Sequence, residues 1–431
     1  MTVRHISSRI QPVLESTKWF IISAFFFRVV LEISYRGFVT VNFEYAGFIL
    51  SIDYLKYLES WLIWICLVIA SPKVLLKASD YLMAYLLFSF FTPLLVYYGL
   101  SNEDREHLYI LLLGFLVIYF FRIGRPLKIP IINHGRVVVY SISAWSSLAV
   151  TGWLIMIGGL SYFNLDLSRV YEFRSDVGEL ISQWPMGYLN MWATKVFGPI
   201  LLIGALWKKK YWIAAIIYIL HIVWFGISSH KAILFYPLLV IFVWWFFRSS
   251  KALAIISVGM ACAVLFSFLI YMIFDYKFLA CLVVRREFFV QSFLAFKYYE
   301  FFSSHEHIYW SSSFASPFID YPYESEPAKL IGAYLGTGGH ANNSFLATGF
   351  MHAGILGVMF YGFLVGLLFR LIDSLSNKGI PLWVAVASVI VPFQSLFKSA
   401  DLTTALLSHG IGVSIVILFL FRSQEKHVHS G

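Results

Sequence analysis

Long apolar runs recur along nearly the whole chain, and they limit its fold more than any other feature. A helix needs about 20 mostly apolar residues to cross the hydrocarbon core of a bilayer. Runs of that kind lie near 19–35, 54–70, 80–99, 107–121, 137–159, 190–206, 211–227, 232–247, 252–274, 346–369, 381–397 and 403–421. They predict an all-α fold: a polytopic transmembrane helical bundle of about 12 spans, with residues 1–431 forming one membrane domain. Composition agrees, since 60% of residues are hydrophobic and only 13% are charged, against about 25% charged in soluble domains.

The formal charge of +9 does not point to nucleic acid, because the basic residues fall in short clusters between the apolar runs. Lys73 and Lys77, then Arg122, Arg125, Lys128 and Arg136, then Lys208 to Lys210, then Arg248 and Lys251, then Arg370 and Lys378, and finally Arg422 and Lys426 occupy alternate loops. All fall on the side of the amino terminus, and the positive-inside rule puts both termini in the cytoplasm. The first run carries Arg28 and Glu32 and lacks a small-residue cleavage site, so it reads as a span and not as a signal peptide. Arg28 and Glu32 stand four apart, the spacing of a local ion pair. The cysteines Cys66 and Cys262 lie inside apolar runs, where buried packing is expected.

Two outer segments are too long for turns: 161–189, and a large one over 275–345. Both are rich in Tyr, Phe and Trp, which predicts built structure and places any chemistry on the outer face. The second opens with RREFFVQSFLAFKYYEFF, an amphipathic stretch expected to lie along the membrane surface. The outer cations Arg169 and Arg174 (in SRVYEFRSDVG), Arg285 and Arg286 (in VVRREFF) and Lys231 (in ISSHKAILF) run against the positive-inside bias. An anionic ligand such as a lipid-linked pyrophosphate gives them a reason, since guanidinium and ammonium groups both bind phosphate oxygens.

The richest stretch is GTGGHANNSFLATGFMHAGILGVMFYG, residues 336–362. A glycine turn leads to His340, Asn342 and Asn343 at the mouth of a span, followed by small residues at Gly349, Ala353, Gly354 and Gly357 that allow close helix packing in lipid. His340 suits a general base toward a sugar hydroxyl, and Asn342 and Asn343 suit either substrate binding or a helix cap. Tyr321, in the aromatic PFIDYPYESEPAK, offers a platform for a sugar ring. His305 and His307 flank Glu306 but have no third spaced ligand, so no metal is expected. The chain has no Walker A, dinucleotide, Ser-His-Asp or haem motif, which argues against ATP-driven and redox functions.

About twelve spans, one large late outer segment, and N-S-F-L (343–346) followed after seven residues by G-I-L-G (354–357) together resemble the Wzy-type O-antigen polymerases (oligosaccharide repeat unit polymerases) within the wider polymerase and O-antigen ligase group. The SRVYEFRSDVG and ISSHKAIL stretches are also similar to that group. The resemblance implies a glycosyltransferase of the bacterial inner membrane that polymerises undecaprenyl-pyrophosphate-linked oligosaccharide repeats on the periplasmic face. It implies no cofactor and no nucleic acid, membrane lipids and a chain-length regulator protein as partners, and catalytic roles for His340 and Arg286. Substrate binding would then fall to Arg169, Arg174, Lys231, Arg285, Asn342, Asn343 and Tyr321. Related ligases carry a histidine immediately before the asparagine that matches Asn343, where this chain has Asn342. An O-antigen ligase of the same fold is one alternative. A lipid-linked oligosaccharide flippase or other transporter is another, although the chain lacks the two-half symmetry usual in carriers.

Overall fold

The computed structural model describes residues 2–167, 170, 178, 181–377 and 379–422, with side chains of the first helix described from residue 13 onward. Every apolar run falls on a helix, and there is no strand among the described residues. Two runs, Tyr54–Ala70 and Ala252–Phe274, match their helices end for end. Among the described residues, seven helices are long and apolar enough to cross a membrane: Ala78–Ser101, Gly135–Met156, Met186–Trp207, Tyr211–Ser228, Ala252–Phe274, Phe345–Ser376 and Leu402–Phe421. This is a helical membrane protein by helix length and composition.

The expectation of about 12 spans exceeds that count for identifiable reasons. Tyr54–Ala70, Arg105–Phe121 and Leu382–Lys398 have 17 residues each, and Lys231–Phe246 has 16. At 1.5 Å per residue they rise about 25 Å, just short of a hydrocarbon core of about 30 Å. The first run is the later part of the long helix Thr2–Ser34, which carries Lys18, Arg28 and Glu32.

The chain divides into two compact units. The first comprises Met1–Gly124, Ser249–Arg370 and Leu396–Leu402, and the second Arg125–Arg248, Leu371–Ser395 and Thr403–Gly431. In the first unit, Thr2–Ser34 runs against Ala252–Phe274, with Ser257 donating to Ser23 Oγ at 2.8 Å. The helical stretch 277–302, which contains the arginine pair, is not a bare surface strip. Phe288 meets Phe27 at 5.5 Å, Phe289 meets Tyr35 at 4.8 Å and Phe296 meets Tyr97 at 5.9 Å, all between ring centroids.

Two of the candidate spans share a device. Ala78–Ser101 contains a π-turn at Leu87–Phe91 followed by Pro93, and Met186–Trp207 contains one at Ala193–Phe197 followed by Pro199. Proline has no N–H to give the carbonyl four residues back and its ring crowds that carbonyl. A wider turn just upstream relieves both problems, and Thr92 N–H and Gly198 N–H bond five residues back, to Leu87 and Ala193.

Arg28, fully buried, does pair with Glu32 (Nε to Oε1, 3.3 Å), and also donates to Ser60 O at 3.0 Å and Ser60 Oγ at 2.7 Å. Its guanidinium lies 4.2 Å from the Trp61 ring centroid. Removing one member of a buried pair leaves an uncompensated charge, at about 3–5 kcal/mol, whereas removing both is far milder. Glu32→Leu is therefore expected to lower the thermal midpoint of the detergent-purified protein more than Arg28→Met/Glu32→Leu does; a double variant worse than the single one would overturn this.

The cysteines depart from expectation. Cys66 and Cys262 are exposed and free, not packed inside. In a bilayer both sides of a span are apolar, so an apolar neighbourhood in sequence does not separate core from lipid-facing positions.

Candidate functional site

The helix Phe345–Ser376 is broken. Ala353 (φ −154°, ψ 33°) and Gly354 (φ 58°, ψ −138°) are non-helical, so the element is two helices meeting at a corner. Only glycine reaches the Gly354 conformation without a steric penalty. Across the corner the halves lie against each other through Gly349 and Gly357, where an added Cβ at Gly357 would stand 1.9 Å from the Gly349 carbonyl oxygen. The run of small residues thus serves packing of this helix on itself.

A corner inside an apolar helix strands carbonyl groups, which need donors in the absence of water. The segment His307–Trp310 supplies them. Ile308 N–H reaches Met351 O at 3.2 Å and Tyr309 N–H reaches His352 O at 3.0 Å. Tyr309 and Trp310 both have positive φ (41° and 60°), a strained backbone for aromatic residues that this pairing holds in place.

The same turn builds a polar network. Trp310 N–H donates to His352 Nδ1 at 3.1 Å. With Nδ1 accepting, the proton of the neutral imidazole sits on Nε2, which donates to Asp401 Oδ2 at 3.0 Å. Tyr361 donates to the same oxygen at 2.8 Å, and its own oxygen accepts from Trp310 Nε1 at 2.8 Å. The Trp310 and His352 rings stack, 4.9 Å apart and 10° from parallel. His352 and Tyr361 are each 1% exposed, while the Asp401 side chain is 17% exposed. Buried donors therefore orient a carboxylate whose edge reaches the surface. His352 has both ring nitrogens engaged and is an orienting group, not a proton acceptor.

The stretch carrying His340, Asn342 and Asn343 is held through its backbone. Ala341 is pinned from two sides, its N–H to Ala328 O at 2.9 Å and its O from the Tyr298 hydroxyl at 2.9 Å. The chain around it alternates, so His340 and Asn342 are exposed while Asn343 is buried. Asn343 Oδ1 accepts from Ser344 N–H at 2.7 Å. Asn343 Nδ2 and Ser344 Oγ are buried with no partner among the described residues, just ahead of the first half-helix. Such orphaned groups are costly where water is excluded and leave hydrogen-bonding capacity unused at this position. Phe345, the next residue, meets Phe397 at 6.0 Å, and the adjacent Lys398 is buried and paired with Glu287.

Arg285 and Arg286 lie on the π-turn Cys281–Phe289. The Arg285 guanidinium sits 4.2 Å from the Phe43 ring centroid and 5.4 Å from that of Phe48, and Arg286 is exposed. The Tyr321 hydroxyl donates to Ser325 O at 2.7 Å. Burial, with Tyr323 and Glu326 adding to it, pushes the Tyr321 phenol up to about 12, so it stays protonated at neutral pH and serves as a donor. His305 and His307 diverge, the first stacked on Phe301 at 4.0 Å and the second against Phe350 at 5.6 Å. Lys231 opens the helix Lys231–Phe246 in the second unit. Arg169 and Arg174 lie outside the described residues.

Sequence reasoning passed over His352, Tyr361, Trp310 and Asp401. A histidine inside an apolar run and an aspartate in the short gap between two runs were the available signals. What brings them together is the corner at Gly354, which pattern reading had taken as continuous helix. Comparison of the chain with family models, with curated proteins and with solved structures gave no match.

Proposed function

We propose that this protein is a glycosyltransferase using lipid-linked donors, which polymerises undecaprenyl-pyrophosphate-linked oligosaccharide repeats into O-antigen or a related surface polysaccharide. The observation that carries the reading is the set of polar groups flanking the broken helix: the orphaned Asn343 and Ser344 groups just ahead of it and the Asp401 carboxylate oriented by His352 and Tyr361 of its two halves. In this reading all twelve helical runs cross the bacterial inner membrane, both termini are cytoplasmic, and 275–345 lies on the periplasmic face.

The reaction needs three things. The acceptor hydroxyl oxygen bonds to the donor's anomeric carbon, the bond from that carbon to the pyrophosphate oxygen breaks, and the pyrophosphate leaves with the electron pair. The acceptor proton goes to His340, which is exposed at the mouth of the first half-helix. Arg286, with Arg285 behind it, stabilises the charge that grows on the leaving pyrophosphate. Asp401 accepts from sugar hydroxyls and fixes the ring, with Asn343 Nδ2 donating and the Tyr321 ring offering a platform for the sugar. Both substrates are anchored by their lipids, which concentrates them at the membrane surface.

Deleting the gene in its host and complementing it tests the reading. A polymerase leaves lipid A core carrying one repeat on deletion and regains a ladder on complementation. Bare core with lipid-linked polymer accumulating inside assigns the ligase reaction instead, and an unchanged pattern overturns both. Arg286→Ala and His340→Ala are each expected to lose long chains, with activity down about 100-fold or more for loss of a general base or of charge stabilisation. Normal ladders at unchanged protein level would remove these residues from the mechanism.

A further inference from the structure

The second unit holds a buried ammonium group that nothing above uses. Lys195 sits in the π-turn Ala193–Phe197 of Met186–Trp207 and is 6% exposed. Its position follows from Pro199, whose missing N–H would otherwise bond the Lys195 carbonyl. Lys195 Nζ contacts His409 Nδ1 and lies 3.2 Å from Ser395 Oγ. Tyr236, buried, is hydrogen bonded to Ser395 in turn. No Asp or Glu among the described residues pairs with Lys195.

A second helix break faces this turn. The span Leu402–Phe421 is interrupted between Leu402–Leu407 and Ile411–Phe421. Gly410 takes φ +86° there, and an added Cβ would stand 2.5 Å from Val196 Cγ2, so the break is seated directly beside Lys195. Trp192 Nε1 ties it down by donating to Leu407 O at 2.7 Å. His409 is half-buried and Leu407 and Thr404 are exposed, so the cluster lies close to the surface of its unit.

An ammonium has only donors, so with Lys195 charged His409 Nδ1 accepts from it and the His409 proton sits on Nε2. Ser395 Oγ also accepts from Lys195. What remains is a third ammonium N–H and the imidazole N–H, both donors, around a positive charge with no carboxylate beside it among the described residues. A buried charge is stable only when paired. Broken helices in membrane proteins commonly host such ions.

We propose that Lys195 and His409 form a binding site for a phosphate-type oxyanion, separate from the polar groups at the Gly354 corner and independent of the glycosyltransferase reading. The bound anion takes the ammonium proton and the imidazole Nε2 proton as hydrogen bonds and supplies the missing negative charge.

The test uses the full-length protein in detergent, titrated with inorganic phosphate and, separately, with a short-chain polyprenyl monophosphate, reading the thermal midpoint against sodium chloride at matched ionic strength. The wild type is expected to gain several degrees from at least one of them. A response to the lipid alone identifies a lipid headgroup as the natural occupant; an equal response to inorganic phosphate identifies a soluble anion. Lys195→Met is expected to need at least tenfold more of the same probe, while its ligand-free midpoint holds or rises because a buried charge has been removed. If that variant does not fold, His409→Phe, which removes only the outer donor, is read in its place with the same expected loss. No shift beyond sodium chloride in the wild type, or an unchanged response in the variant read, overturns the site.

Discussion

Gly357→Ala is expected to yield little folded protein, or protein with a thermal midpoint far below that of Gly349→Ala. The two glycines face each other across the corner of the broken helix, so a simple small-residue rule treats them alike. Their geometry does not. A Cβ on Gly357 would stand 1.9 Å from the Gly349 carbonyl oxygen and 2.9 Å from its carbon, both backbone atoms that cannot step aside. A Cβ on Gly349 would stand 3.0 Å from the Gly357 oxygen, 3.2 Å from its carbon and 3.3 Å from Tyr361 Cδ2, distances that a shift of a few tenths of an ångström relieves. Overpacking usually costs about 1–3 kcal/mol; Gly357 belongs at or above the top of that range and Gly349 near the bottom. Opening the corner also pulls Met351 and His352 away from the Ile308 and Tyr309 N–H groups that satisfy their carbonyls. Fluorescence-detected size exclusion and thermal unfolding of both variants give the answer. Equal midpoints would mean that the halves do not meet through Gly349 and Gly357.

Asp401→Ala should be the second large loss, about 2–5 kcal/mol, because two donors are orphaned at once at about 1–3 kcal/mol each. His352 Nε2 and the Tyr361 hydroxyl both point at Asp401 Oδ2 and are themselves buried, so water reaches them poorly. Asp401→Asn keeps a carbonyl oxygen that still accepts and is expected to cost less than half as much. The network also predicts non-additivity: once Asp401 is gone, Tyr361→Phe should cost clearly less than it does in the wild type, the remainder being the Trp310 Nε1 donor left without its acceptor. A thermal or denaturant double-variant cycle measures this directly, and strictly additive losses would break the network into unrelated contacts.

The broad architecture was legible because lipid demands long apolar helices, and that demand is written in consecutive residues. Tyr54–Ala70 and Ala252–Phe274 were readable to the residue, and the i to i+4 pair of Arg28 and Glu32 needed only local spacing. What escaped needed either three dimensions or a reason to doubt a pattern. Gly354 looked like one more small residue in a helix until its backbone conformation made it a corner. Asp401 lies 49 residues from His352, and His409 lies 214 from Lys195, so neither pair is visible as a motif. The exposed Cys66 and Cys262 mark the limit of hydropathy itself, which registers apolar surroundings without distinguishing protein from lipid. Of the candidate site, the stretch 336–362 was found, with His340, Asn342 and Asn343 in it, while its most heavily bonded members were not.

The paired π-turns and prolines carry a consequence for how this sequence can change over time. A π-turn holds one residue more than the α-helix it interrupts, so the helix beyond it is out of phase by about 100°. Ala78–Ser101 is wholly enclosed and Met186–Trp207 is enclosed over 78% of its apolar window, so neither has a free side on which to absorb a rotation. Deleting one residue within Leu87–Phe91 or Ala193–Phe197 would remove that extra residue and leave the downstream half on its present neighbours, at the cost of setting Pro93 or Pro199 into a regular α-helix. An insertion or deletion anywhere else in either helix would turn one half by about 100° onto the wrong neighbours, so the π-turns are the places where these two helices can change length.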